Sequence, residues 1–355
     1  MKLTGVVVVE DVGRQIGEFR SSGTAVLEHV ANRPIIHHVL DVLASAGVGE
    51  VVAACTANLA RDIRACVASC EAADRLCLRY VEQDAPVDLA DGIRMAAPLI
   101  GRAPCVVHLA NGLLGERVDP FLPRLRGDAA DVVVVVHEEQ RPCRRLSRET
   151  RRMLDLPEFD SERAALGVAG VCSFGPGALE QAARAEWSRD RDVDLTDVAA
   201  RVGGAGGSLR IQRARSWHGY AGDATDLLEL NRVVLDRLES DLRPNDRSGN
   251  RIEGRVDIHD TASVNESVIV GPAVIGAGAR IEAAYIGPYT AVGAGARIEN
   301  AEVERSIVCA GAAISDIGCR LSGSVIGRDA RVFRDFSLPR ALRLRVGDRT
   351  EIALS

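Results

Sequence analysis

The chain predicts an α/β protein, a Rossmann-like doubly wound mixed sheet followed by a C-terminal left-handed parallel β-helix. Three observations carry this expectation. Short β-branched runs alternate with helical periodicity through residues 1–240. A polar stretch with Pro, Asn and Gly at 241–251 reads as a linker. Across 252–355 aliphatic residues then recur about every six positions, each followed by Gly or Ala.

Residues 6–9 are all valine, as suits a strand buried on both faces. Asn32 and Pro34 open a helix in which Ile35, Ile36, Val39, Leu40 and Leu43 share one face, and Gly47 stops it. A strand at 50–54, a helix at 59–69 and a strand at 76–81 follow, then a helix at 90–99 and strands at 105–109 and 131–136. The order β-α-β-α places any ligand beyond the carboxyl ends of the strands. Residues 141–152 are rich in arginine and read as a solvated helix and loop. A glycine-rich turn at 203–208, a strand at 209–213 and an amphipathic helix at 224–238 complete the first domain.

In the tail, Ile275 to Ile281, Ile286 to Val292 and Val292 to Ile298 are each six apart, the period at which aliphatic side chains stack inside a β-helix. Residues 342–354 alternate and are expected to add a closing strand.

Composition narrows the partners. A net charge of −6 gives no basic footprint for nucleic acid, and no apolar run approaches the roughly 20 residues of a membrane span. The nine cysteines are odd in number and include no Cys-x-x-Cys pair, which suits reduced thiols in a cytoplasm. His37, His38, His108 and His218 fall at no metal-ligand spacing with an acidic partner and read as packing or surface residues. The chain has one lysine, Lys2.

Residues 32–40 (Asn-Arg-Pro-Ile-Ile-His-His-Val-Leu), 80–86 (Tyr-Val-Glu-Gln-Asp-Ala-Pro), 195–197 (Leu-Thr-Asp), Trp217 and 228–232 (Leu-Glu-Leu-Asn-Arg), with the β-helix from Ile252, give the chain a resemblance to a known family. It resembles the long-form glucose-1-phosphate thymidylyltransferases, sugar nucleotidylyltransferases of bacterial sugar and secondary-metabolite pathways. The resemblance implies attack of a sugar phosphate on the α-phosphorus of a nucleoside triphosphate. Backbone amides, cationic side chains and carboxylate-bound Mg²⁺ serve that chemistry.

Set against that pattern, the site is degenerate. The family's glycine loop is Val9-Glu10-Asp11-Val12-Gly13-Arg14 here, keeping Gly13 and Arg14 but adding two acidic residues. A close like-charge pair costs roughly 4 kcal/mol at intermediate dielectric. Ala25 stands at the family's first phosphate lysine, and the segment carrying the second is absent. Asn111 replaces one metal aspartate and Gly219 the other; Asp223 reads first as a helix cap ahead of Ala224, with a metal ligand on a shifted loop the alternative. Gln83 matches the glutamine that reads the pyrimidine edge, and Asp88 replaces a glycine beside it.

Gln83, Gly13 and Asp88 are therefore the candidate nucleotide-binding positions, and Arg14, Asn111 and Gly219 the vestigial cleft positions. The expected function is a non-catalytic homologue that binds, scaffolds or regulates, as a homo-oligomer or with a paralogue or pathway enzyme. It is expected to need no cofactor, with Mg²⁺ required only if nucleotidylyl transfer survives. Two alternatives stand beside it: an enzyme with altered chemistry acting on a small-molecule ligand in the same cleft, and a still-active thymidylyltransferase with unorthodox ligands.

Overall fold

The computed structural model describes residues 3–10, 25–118, 132–139, 165–185, 195–204, 206–239 and 249–336. It divides into two compact units, one of residues 1–15, 24–27 and 35–219, the other of 16–23, 28–34 and 220–355.

In chain order the strands and helices as far as the start of the β-helix are β1 (Thr4–Val8), β2 (His29–Val30), β3 (Arg33–Pro34), α1 (Ile35–Ser45), β4 (Glu50–Thr56) and α2 (Ala57–Val67). Next come β5 (Cys77–Gln83), α3 (Leu89–Ile100), β6 (Cys105–Leu109), β7 (Gly112–Leu114), β8 (Val132–Glu139) and β9 (Ala165–Phe174). The series closes with α4 (Ala178–Ala183), α5 (Leu195–Gly204), β10 (Leu209–Arg213), β11 (Trp217–Gly219) and α6 (Ala224–Leu235).

The first unit is built on a seven-stranded sheet in the order β10-β8-β9-β6-β1-β4-β5. β1 runs parallel to both β4 and β6, β4 to β5, and β8 to β10. The exception is β9, antiparallel to β6 and β8, which makes the sheet mixed. Nothing in the sequence reading located β9: Gly167, Ala169 and Gly170 dilute its apolar pattern, and burial on both faces removes the alternation that marks a half-buried strand. Val6, Val8, Val107, Val134 and Phe174 meet Ile93, Leu179 and Val198 from α3, α4 and α5 in one core. The valine run at 6–9 is fully buried because helices pack against it.

In the second unit the tail winds into three parallel sheets of five strands each, the three faces of a β-helix. Ile252, Ile269, Ile286, Val303 and Leu321 form one inward column, the first four at intervals of 17 residues. A strict six-residue period would give 18, so each of these turns is one residue shorter than the hexad reading, with the short step between Ile281 and Ile286. Ala, Val and Ile fill the interior and leave no room for large side chains.

The same unit contains the hairpin β2–β3 and helix α6. Ala31 and Asn32 form its turn at φ 46° and 63°, the left-handed pair that a two-residue hairpin requires. Ala31 packs with Leu235 of α6 and with Val274 and Ala291 of the β-helix. Asn32 therefore turns a hairpin, its Nδ2 donating to Val292 O at 2.8 Å, and α1 starts at Ile35 without it. The segments at 241–248 and 342–354 lie outside the described residues.

Candidate functional site

Beyond the carboxyl ends of β1, β5 and β6 the first unit gathers the described candidates. Val9 N bonds Ala54 O at 2.9 Å and Ala110 N bonds Val8 O at 2.9 Å, so the chain continues past both strands before turning. Glu10 follows β1 and is partly exposed. Asn111 follows β6 and is partly buried.

Immediately after Asn111, β7 pairs antiparallel with β11, placing Gly112 opposite Gly219. One cleft position, Gly219, thus lies opposite the residue next to another, Asn111, although more than a hundred residues separate them. Trp217 explains why glycine occupies this spot: a Cβ on Gly112 or on Gly170 of β9 would collide with its indole. The ring is held between two backbones that only glycine lets so close. Beneath it lies His108, fully buried, with ring centroids 5.5 Å apart and planes tilted at 57°.

His108 is neutral here. Burial pushes its pKa down to about 4, against a smaller opposing pull from the Leu109 carbonyl 2.6 Å from Nδ1. Its Nε2 has no hydrogen-bond partner among the described residues. The sequence reading left His108 as a packing or surface residue; it is a packing residue, and its link to Trp217 gave no sign in the sequence.

At the end of β5, Gln83 Nε2 donates to Pro86 O at 3.0 Å and to Asp91 Oδ2 at 3.4 Å. Its amide hydrogens are thereby spent within the loop that leads to α3. Asp88 is the N-cap of α3, its Oδ1 accepting from Asp91 N at 2.7 Å. The sequence carried a signal for this in Asp88-x-x-Asp91 ahead of an apolar helix, a pattern close to a capping box. Asp91 in turn pairs with Arg94 at 2.6 Å, and Arg64 pairs with Glu82 while lying 4.4 Å over the Tyr80 ring.

Asp88→Ala is expected to cost about 1 kcal/mol in chemical denaturation, and Asp88→Asn only a few tenths, because asparagine also caps. An equal loss in both variants would mean that the charge, not the cap, is what the position needs.

Asp223 caps α6 in the second unit, its Oδ1 accepting from Thr225 N at 2.8 Å, as the capping reading predicts. Gly13, Arg14, Asp11, Lys2 and the arginines of 141–152 lie outside the described residues. Among the described residues no three His, Cys, Asp or Glu side chains stand close enough to hold a metal ion. Asn111 offers an amide oxygen without charge, a poorer Mg²⁺ ligand than a carboxylate. In α1, His37 lies 3.0 Å from Cys66 O and ties α1 to α2. Buried Cys55 has its thiol raised to about 11, first by desolvation and then by Glu82, which removes it as a nucleophile.

No protein-family model matches the chain. Curated relatives do. The glucose-1-phosphate thymidylyltransferase of Streptomyces griseus is 28% identical over 99% of this chain and 100% of its own length. Its namesake from Streptomyces antibioticus is 28% identical over 99% of each. The low-salt glycan biosynthesis nucleotidyltransferase Agl11 of Haloferax volcanii is 23% identical over 99% of this chain and 100% of its own. In fold, the chain matches a crystallised Bacillus anthracis protein assigned as a glucose-1-phosphate thymidylyltransferase, in complex with sucrose, at TM-score 0.54 and 15% identity. That match covers 64% of this chain and 94% of the other. No helix among the described residues is long and apolar enough to cross a membrane. From one end to the other, this chain is a homologue of the sugar-1-phosphate nucleotidylyltransferases.

Proposed function

We propose that this homologue no longer transfers nucleotidyl groups and serves as a binding, scaffold or regulatory subunit in a sugar or secondary-metabolite pathway of the bacterial cytoplasm. The observation that carries the reading is Asn111. It sits at the β6–β7 turn against the β7–β11 pair, where the related chemistry asks for a carboxylate, and among the described residues no three His, Cys, Asp or Glu side chains gather to hold a metal ion. Past the end of β5 the polar candidates are engaged in local structure, Asp88 in capping α3 and the Gln83 amide in bonds to Pro86 and Asp91. Lys2 is the only lysine, so the two cationic contacts of the related reaction have one candidate between them. Each missing transition-state contact costs about 10²–10³ in rate, and several missing together leave no useful turnover. As partner we propose a second copy, a paralogue or a pathway enzyme.

The test is pyrophosphate release from dTTP and glucose 1-phosphate with Mg²⁺, run beside calorimetric titration with each compound. No release above the uncatalysed background is expected, in the wild type or in Asn111→Asp, since one carboxylate cannot supply the missing cations. Turnover at ordinary enzyme rates that disappears in Asn111→Ala would overturn the proposal.

A further inference from the structure

The three faces of the β-helix carry their charges differently. On the first face Glu302 and Glu304 lie one strand from Arg320, and opposite signs meet within the chain at 2.9 and 3.3 Å. Tyr285, one strand further, lies under the same guanidinium at 4.9 Å. That face satisfies itself.

On the third face the register stacks like on like. Arg280 pairs in register with Arg297, and Glu282 with Glu299, while Ile281 and Ile298 between them point into the core. All four charged residues are exposed. Neighbouring strands lie about 4.8 Å apart, so each like-charged pair is held at unfavourable range. Among the described residues none of these four side chains makes an ion pair or hydrogen bond. Uncharged rungs frame the patch, Ser263 and Asn265 before it and Ala313 and Ser315 after it. The result is a flat array with a column of arginine beside a column of glutamate, roughly 7 Å apart along the strands.

We infer that this face binds a second copy of the chain through a two-fold axis parallel to the β-helix axis. That operation exchanges the columns and keeps the rungs level. Arg280 then faces the partner's Glu282 and Arg297 the partner's Glu299, with the reciprocal pairs completing four contacts. A two-fold axis along the strands would set arginine on arginine, so the pattern also selects the orientation. The like-charge stacking that is unfavourable in one copy becomes the source of complementarity in two. The inference does not depend on whether the cleft turns over a nucleotide.

Sedimentation velocity of the full chain over a wide concentration range tests it. The wild type is expected to form a dimer that weakens as salt rises, because rim charges are screened. Arg280→Glu with Arg297→Glu makes both columns acidic and is expected to weaken the dimer by about tenfold or more. Glu282→Arg with Glu299→Arg does the same with the opposite sign. Mixing the two variants restores a dimer, and so does the quadruple variant in which the columns are swapped. Thermal melts of each variant confirm folding, which exposed side chains leave intact. A wild type that stays monomeric, a dimer indifferent to the double reversals, or reversal mutants that fail to pair on mixing would each overturn the inference.

Discussion

Asn231→Leu is expected to destabilise the second unit by about 4 kcal/mol, the sum for two buried backbone groups left without partners. Asn231 is 1% exposed. Its Oδ1 accepts from Ala31 N at 2.8 Å and its Nδ2 donates to Tyr289 O at 3.0 Å. One carboxamide therefore joins the hairpin, helix α6 and the β-helix. Leucine keeps the volume, so the loss measures hydrogen bonding. Asn32 gives the hairpin a second tie to the β-helix, so the hairpin is expected to loosen before the β-helix rungs do. Urea denaturation gives the free energy, and amide exchange across residues 28–34 locates it. A loss below about 1 kcal/mol with the hairpin still protected would show that apolar packing around Ala31 holds the segment alone.

The same residue marks the boundary of what the sequence discloses. Leu228-Glu229-Leu230-Asn231-Arg232 was legible as a family motif on an amphipathic helix, and Asn32-Arg33-Pro34 as another ahead of α1. Their partnership was not, because side-chain hydrogen bonds across 200 positions leave no periodic trace in either segment. Local patterns did better. The strands at 105–109 and 209–213 stand where the sequence puts them, and the other helices and strands it named before the β-helix, among the described residues, deviate by a few residues at their ends, while β7, β9, β11, α4 and α5 went unlocated. The β-helix was read from its aliphatic columns, though the five-residue step after Ile281 needed the structure.

In the site the imbalance is sharper. Asn111 and Asp88 could be singled out from sequence because, against the family resemblance, each differs in residue type from what that chemistry uses. That Gly219 lies opposite Gly112, that Trp217 is wedged between Gly112 and Gly170, and that Gln83 spends its amide on Pro86 are all tertiary facts. Around the β7–β11 pair this unit packs on one tryptophan, which lies against Gly112, Gly170 and His108. That packing directs attention to the histidine beneath the ring.

Acid is expected to weaken the first unit through His108. In the folded chain its pKa is lowered to about 4 from an ordinary value of 6.5, because a fully buried imidazole cannot be charged cheaply. As pH falls below 6.5 the unfolded chain takes up a proton that the folded chain refuses, so the equilibrium moves toward unfolding. The loss grows until pH reaches about 4, where both states are protonated, and amounts to about 3 kcal/mol over the whole window. Above pH 6.5 the residue contributes no slope. The measurement is urea denaturation at several pH values in a Trp187→Phe background, which leaves Trp217 as the one tryptophan and reports the ring that His108 touches. Carboxylates also titrate in this range, so the informative quantity is the difference from His108→Leu, which cannot bind the proton in either state. Leucine also removes the unpartnered Nε2, so its stability at neutral pH is expected to lie close to that of the wild type. If the two proteins lose stability in parallel between pH 7 and 4, His108 is charged at no cost, and the tight packing of the imidazole against Trp217 is not what shapes the acid limb.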